Sequence, residues 1–227
     1  KDMKKLSRQT KVIATIGPAT ESEENLERLI NYGVDVCRLN MAHADHDWVR
    51  KTSSKIRAIG KRLNREPAIM MDVKGPEIRT GYLQNDINLK KDGLLDLVFE
   101  AQPNPPIQDD IWQIEINYDK LSDHVKTGDT VLLDNGLIQL LIIESSPKQI
   151  RCKILQDSIL KSRRHVNLPG IETGLPSLTE KDRRDSLVGI ECEHDYFALS
   201  FTRDADAIDL FRSSLRENGS DAQIIAK

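Results

Sequence analysis

Short apolar runs alternate with amphipathic stretches at both ends of the 227-residue chain, and between them lies a long segment with no helical period. Parallel βα units have this sequence form, because each buried strand needs a helix to carry the chain back across the sheet. The first run, residues 11–16, predicts a strand closed by Gly17-Pro18. Thr20 with Glu23 predicts a capping box, Leu26, Leu29 and Ile30 one apolar helix face, and Gly33 its end. A strand over 34–39, a helix over 47–64 with Trp48, Ile56, Ile59 and Leu63 inward, and a strand over 68–71 complete a βαβαβ run. After the interruption, Thr179-Glu180 opens a helix, 196–201 is a fourth strand, 204–217 a helix and 223–226 a fifth strand.

The interruption reads as an inserted β domain. Short apolar runs at 94–99, 131–133 and 137–143 are separated by turn residues, and Asn135-Gly136 predicts a type I′ hairpin because both residues tolerate positive φ. The expected division is 1–81 for the first βα part, 82–168 for the insert and 169–227 for the βα continuation.

Charge and cysteine content limit the function. Lys plus Arg number 33 against 36 for Asp plus Glu, a net charge of −3, so no global field draws the chain to nucleic acid or an anionic membrane. No apolar run is long enough to span a bilayer, and the charged start Lys1-Asp2-Met3-Lys4-Lys5 is not followed by a signal-peptide core. Three scattered cysteines, Cys37, Cys152 and Cys192, suit a reducing compartment, and a cytoplasmic location is the expectation. The chain begins with Lys1 and stops at Lys227 directly after Ile224-Ile225-Ala226, and reads as a piece of something longer.

The chemistry-bearing residues fall at the ends of the strands. Arg38 and Asn40 alternate along strand two, with His43 soon after; Asp72 and Lys74 close strand three, followed by Glu77 and Arg79; Ser200 and Arg203 close strand four; Lys227 closes strand five. In a βα barrel these ends converge on one mouth, where barrel enzymes keep their chemistry. Arg38, Arg79, Arg203 and Lys227 beside Asp72 and Glu77 point to an anionic ligand such as a phosphate or carboxylate.

Other clusters have plainer readings. His43, Asp45 and His46 lack a fixed metal-ligand spacing and read as a loop. Lys161, Arg163, Arg164 and His165 lack interleaved aromatics and read as a strand end or phosphate clamp instead of a nucleic-acid surface. Cys192-Glu193-His194 reads as a helix end. No P-loop, Rossmann glycine motif or nucleophile elbow is present in the sequence.

Six segments in order carry a family resemblance: Lys11-Val-Ile-Ala-Thr-Ile-Gly-Pro-Ala-Thr20, Arg38-Leu-Asn-Met-Ala-His43, Met71-Asp-Val-Lys-Gly-Pro-Glu-Ile-Arg-Thr-Gly81, Val166-Asn-Leu-Pro-Gly170, Leu178-Thr-Glu-Lys-Asp182 and Ile224-Ile-Ala-Lys227. Together they resemble the signature segments of pyruvate kinase across almost the whole chain. The resemblance implies an α/β fold, a partial TIM (β/α)8 barrel of about five of the eight strands, with an inserted small β-barrel lid. It implies phosphoryl transfer between phosphoenolpyruvate and ADP, giving pyruvate and ATP in glycolysis, with Mg²⁺ or Mn²⁺ and K⁺.

Carried over by position, the resemblance implies that Lys227 and Arg38 act on the transferring phosphoryl group. Asn40, His43, Arg79 and Arg164 become nucleotide or substrate contacts, and Asn40, Asp72 and the Val73 carbonyl potassium ligands. Glu77 and Thr80 resemble the potassium-dependent branch. The divalent-metal carboxylates fall beyond Lys227, so this chain alone is expected to be inactive, and the full-length parent to be a homo-oligomer, a tetramer in the family. The sequence departs from the family pattern at Ala42, which removes a serine hydroxyl from the potassium set, and at Ala44, Asn135 and His165. Two alternatives stay open: a non-catalytic relative with a regulatory or structural role, and a barrel lyase acting on a phosphoenolpyruvate-like acid. Retention of Arg38, Arg79 and Lys227 argues against the lyase.

Overall fold

The computed structural model describes residues 9–100, 107–108 and 111–227, so the charged start lies outside the described residues. These fall into two compact units, one made of the chain up to Pro76 together with Pro176–Lys227, the other of Glu77–Leu175. In chain order the first unit begins with β1 (Ile13–Ile16), α1 (Glu23–Tyr32), β2 (Val36–Asn40), α2 (His46–Arg62) and β3 (Ala68–Val73). The second unit contains β4 (Ile78–Arg79), β5 (Ile87–Leu89), β6 (Leu94–Val98), β7 (Ile107–Gln108), β8 (Ile111–Glu115), β9 (Thr130–Leu133), β10 (Ile138–Ser145), β11 (Gln149–Ile154), β12 (Ser158–Leu160) and β13 (His165–Asn167). The chain then returns to the first unit through α3 (Glu180–Glu191), β14 (Tyr196–Leu199), α4 (Ala205–Glu217) and β15 (Gln223–Ala226).

The first unit is a parallel sheet in the order β1-β2-β3-β14-β15. Within it the strands follow chain order and never reverse, as in a (β/α)8 barrel, of which this is a part. Alternation along the strands sorts two faces. Cys37, Leu39, Ile69, Met71, Val73, Phe197 and Leu199 pack against Leu26 and Ile30 of α1, Val49, Ile56 and Ile59 of α2, and Phe211 and Leu215 of α4. The intervening residues, Arg38, Asn40, Met70 and Asp72, take the opposite face.

One local expectation is corrected here. The cap of α1 is Ser22, whose Oγ accepts from the Asn25 amide at 3.2 Å, and not Thr20. The Thr20 hydroxyl is engaged by the Gly17 turn, accepting from the Gly17 amide at 3.0 Å, so the helix starts after that turn is closed. On α2 the buried stripe runs through Val49, Thr52, Ser53, Ile56, Ile59 and Gly60, and Trp48 and Leu63 pack against the same core while staying half-buried. The Gly33 cap of α1 stands as expected, with φ 98°.

In the second unit, one sheet runs β4-β13-β9-β10-β11-β6-β8-β7, beside a β5-β12 pair. The Thr80–Ile116 bridge, the Gly81 amide donating to Glu115 O at 2.7 Å and the Asn117 amide donating to Arg79 O at 3.1 Å join the ends of β4 and β8. The sheet thereby closes into a small barrel, removing an exposed edge. Its core includes Leu95, Leu97, Val131, Leu133, Leu140, Ile142, Ile150 and Val166. Asn135 (φ 57°, ψ 30°) and Gly136 (φ 89°) take type I′ values in the β9-β10 hairpin, and the Leu137 amide donates to Asp134 O at 3.2 Å.

Candidate active site

In the first unit the strand ends gather around Asp72. Pairing sets Thr15 opposite Arg38 at one level of the sheet, and Asn40 and Ala198 opposite Asp72 at the level two residues further along the same face. Asp72 is 2% exposed. Its Oδ2 accepts from Arg38 Nε at 2.7 Å and also from Arg38 Nη2, while Lys227 Nζ stands 3.1 Å from Oδ1 and 3.2 Å from Oδ2. Arg38 Nη1 donates to Thr15 Oγ1 at 2.7 Å, fixing the guanidinium plane. Ser200 Oγ lies 3.1 Å from Asp72 Oδ1 and 2.6 Å from the Val73 carbonyl, and its one proton goes to the nearer oxygen.

Backbone bonds hold Lys227 just beyond the Asp72 level. Its amide donates to Leu199 O at 3.0 Å, and its carbonyl accepts from the Thr202 amide at 2.9 Å. Two cations on one buried carboxylate leave a net positive charge with directed donors, which suits an incoming anion.

The loop leaving β3 is equally determined. The Gly75 amide donates to Asp182 Oδ1 at 2.9 Å, and the other oxygen of Asp182 accepts from the Thr179 amide at 2.9 Å. Thr179 and Asp182 form the capping box of α3. Gly75 sits at φ +70°, and a Cβ there would meet Ser200 O at 2.5 Å. Only glycine fits, because both the left-handed backbone and the close approach exclude a side chain.

Beside this cluster, Thr15, Gly17, Pro18, Glu21, Asn40 and His43, with Ala44, Asp45 and Trp48, line a cavity of about 490 Å³. Asn40 Oδ1 accepts from the Ala42 amide at 3.1 Å, which shapes the loop after β2, and His43 is exposed at the rim. Trp48 Nε1 donates to Glu21, holding the indole at the cavity wall.

Arg79 and Arg164 belong to the second unit. Arg79 Nε is 2.8 Å from Glu77 Oε1, and its Nη1 donates to Arg163 O at 2.8 Å. Arg164 Nη1 lies 3.3 Å from Asp134 Oδ1, and its amide donates to Thr80 Oγ1 at 2.8 Å. The pairing of β4 with β13 sets His165 opposite Arg79. Burial, with the Arg79 charge, lowers the pKa of His165 below its ordinary value.

Of the expected four cations, Arg38 and Lys227 meet on Asp72, while the exposed Arg203 donates to Ser177 Oγ at 3.1 Å. Thr15 and Trp48 carry no site signal in the sequence, and Ser200 reads there only as a strand end. The strand register that brings Thr15 to Arg38 has no local sequence signal, and Trp48 resembled a core position by its spacing.

A family model described as the pyruvate kinase barrel domain matches residues 7–227. Pyruvate kinase of Staphylococcus aureus strain USA300 is 37% identical over 231 residues, covering 97% of this chain and 37% of that protein. The chain belongs to the pyruvate kinase family. The pyruvate kinases of Staphylococcus aureus strains NCTC 8325 and MRSA252 match with the same identity and coverage. The chain thus spans 37% of the length of these curated pyruvate kinases. The six signature segments of the sequence and the ordered parallel sheet accord with membership of the pyruvate kinase family.

Proposed function

We propose that this chain supplies the phosphoryl-binding side of a pyruvate kinase that transfers the phosphoryl group of phosphoenolpyruvate to ADP. The observation that carries the reading is the seating of both Arg38 and Lys227 on the buried Asp72. Phosphoryl transfer spreads charge over equatorial oxygens, and catalysis is mostly positioning and electrostatic stabilisation. Arg38 offers a fork fixed by Thr15 and Asp72, and Lys227 a point charge that can turn from Asp72 to the phosphoryl. The bond from phosphorus to the enol oxygen breaks, a bond to the terminal oxygen of ADP forms, and the enolate takes a proton to become pyruvate.

The cavity of about 490 Å³ is the nucleotide's place in this reading, with Asn40 and His43 as polar contacts and Pro18 and Trp48 as apolar walls for the base. Arg79 and, from the lid expected over 82–168, Arg164 are the further phosphate and nucleotide contacts. Asn40 Oδ1, the Asp72 carboxylate and the Val73 carbonyl lie on adjacent strand ends and form an oxygen set that fits K⁺, with Ser200 Oγ beside them. Bound there, K⁺ would add positive charge next to the phosphoryl group. No group of three or more His, Cys, Asp or Glu side chains able to hold a metal occurs among the described residues.

A cytoplasmic, homo-oligomeric parent enzyme belongs to the same reading. It is supported by the free thiols Cys37, Cys152 and Cys192 and by the family. No described helix is long and apolar enough to cross a membrane. The test is a coupled assay with phosphoenolpyruvate, ADP, Mg²⁺ and K⁺. The full-length parent is expected to turn over and the isolated 227-residue chain to remain at background. A silent parent that still binds phosphoenolpyruvate would favour a non-catalytic relative, and turnover by the isolated chain would refute its expected inactivity.

A further inference from the structure

We propose, resting on the reading of Arg79 as a phosphate contact, that His165 is a positioning residue for Arg79 and that a proton taken up by its ring strengthens the hold on phosphate. His165 is one of the positions at which the sequence departs from the family pattern, and every residue involved lies in the second unit. Strand register brings the two side chains together. β13 runs antiparallel to β4, with His165 opposite Arg79 and Val166 opposite Ile78. The Arg79 amide donates to Asn117 Oδ1 at 2.7 Å and its carbonyl accepts from the Asn117 amide at 3.1 Å, so both backbone groups turn away from β13. Opposite residues that exchange no backbone bonds have the closest side chains in an antiparallel ladder.

Glu77 stands two positions before Arg79, on the same side of the chain. Its carboxylate, 7% exposed, is 2.8 Å from Arg79 Nε, while Arg79 Nη1 donates to Arg163 O, so the guanidinium is held from two directions and keeps an exposed edge. The half-buried His165 ring lies beside this pair. With the ring neutral, the Glu77 carboxylate offsets the Arg79 charge. With the ring protonated, one carboxylate faces two cations, and the cluster becomes net positive. That change favours an incoming phosphate.

The other charged groups around the ring are engaged. Arg164, next to it on β13, pairs with Asp134 from the β9 end at 3.3 Å, and the Arg163 guanidinium lies over the Tyr82 ring at 4.9 Å. On the β8 side Glu115 faces Gly81, where a Cβ would meet its Oε2 at 3.1 Å. Burial and the Arg79 charge disfavour the proton on His165, and Glu77 opposes them. A phosphate seated on Arg79 offsets that charge, so proton and anion assist each other reciprocally.

NMR titration of the histidine rings in the 227-residue chain, with and without inorganic pyrophosphate, tests the coupling. The His165 signal is assigned by its loss in His165→Gln, and Arg79→Gln and Glu77→Gln are titrated alongside, each checked by circular dichroism. The ring is expected to titrate below the ordinary histidine range, to move up in Arg79→Gln and further down in Glu77→Gln, and to move up when pyrophosphate binds. Affinity is measured by calorimetry in an Arg38→Ala background, so that the Asp72 cluster does not contribute. Between about pH 7.5 and about pH 5.5, binding is expected to tighten about threefold or more beyond the change seen with His165→Gln, a comparison that cancels the ligand's own ionisation. A His165 titration indifferent to Arg79→Gln, or the same pH response in His165→Gln, would overturn the proposal and leave the phosphoryl-transfer reading standing. If Arg79→Gln moves the ring while pyrophosphate neither binds nor moves it, the reading of Arg79 as a phosphate contact fails, and the proposal with it.

Discussion

Lys227 Nζ reaches both oxygens of Asp72, at 3.1 and 3.2 Å, although 155 positions separate the two residues in the chain. The same carboxylate receives Arg38, so it offsets the repulsion between two cations that would otherwise hold apart. Removing one member of such a group is costly because it leaves the buried charge without a partner. Asp72 therefore has a positioning role in the proposed reaction, keeping Arg38 and Lys227 within reach of one anion.

Replacement of Asp72 by Asn keeps the shape of the side chain and deletes its charge. In the full-length protein, kcat is expected to fall about 100-fold, with KM for phosphoenolpyruvate changing less, as measured by a coupled assay. An unchanged kcat would show that Arg38 and Lys227 are positioned without it.

Stability should respond to pH through His194. This residue is 4% exposed, its Nε2 lies 2.8 Å from Ser53 Oγ, and its Nδ1 is buried without a hydrogen-bond partner among the described residues. Burial, aided by the Arg57 charge and opposed by Asp195, lowers its pKa from 6.5 to about 4. The unfolded chain thus binds a proton more readily than the folded one. The contribution is fully present above about pH 6.5 and is lost as pH falls toward the folded value. Between pH 7.5 and 5 the expected loss is about 2 kcal/mol, read from urea unfolding at each pH. His194→Phe should remove most of this slope, and a variant with the same slope would assign it elsewhere.

Gly75→Ala combines a left-handed backbone with a Cβ 2.5 Å from Ser200 O. It is expected to cost about 3 kcal/mol or more and to displace Ser200 from Asp72. Thermal unfolding reports the first effect and loss of activity in the full-length protein the second. Gly170, at φ +73° with open space where a Cβ would stand, provides the control for backbone strain alone.

Potassium dependence should be weakened and retained in the full-length protein. Ala42 offers only its amide, which donates to Asn40 Oδ1, and a hard cation can replace a missing hydroxyl by water. Ala42→Ser is expected to lower the K⁺ concentration for half-maximal rate. An unchanged requirement would show that position 42 contributes no ligand, and equal rates with and without K⁺ would remove the site.

The five parallel strands of the first unit, the break into a β insert and the Asn135-Gly136 turn were legible in the chain alone, because periodicity and turn chemistry are local properties. So were Arg38, Asp72 and Lys227 as strand-end residues, since each falls at or just after the end of an apolar run. Their union was not. Which residue of one parallel strand faces which of the next depends on how the intervening helices pack, and this register alone sets Thr15 beside Arg38 and Asn40 beside Asp72. Likewise Trp48 packs against the core at half burial, as its spacing predicts, and its indole also lines a cavity, which the spacing does not show. Local chain chemistry thus sets the kinds of elements and the charges at their ends. Packing selects which of those charges are neutralised within the fold and which are left for a ligand, because that depends on distances between residues far apart in the chain.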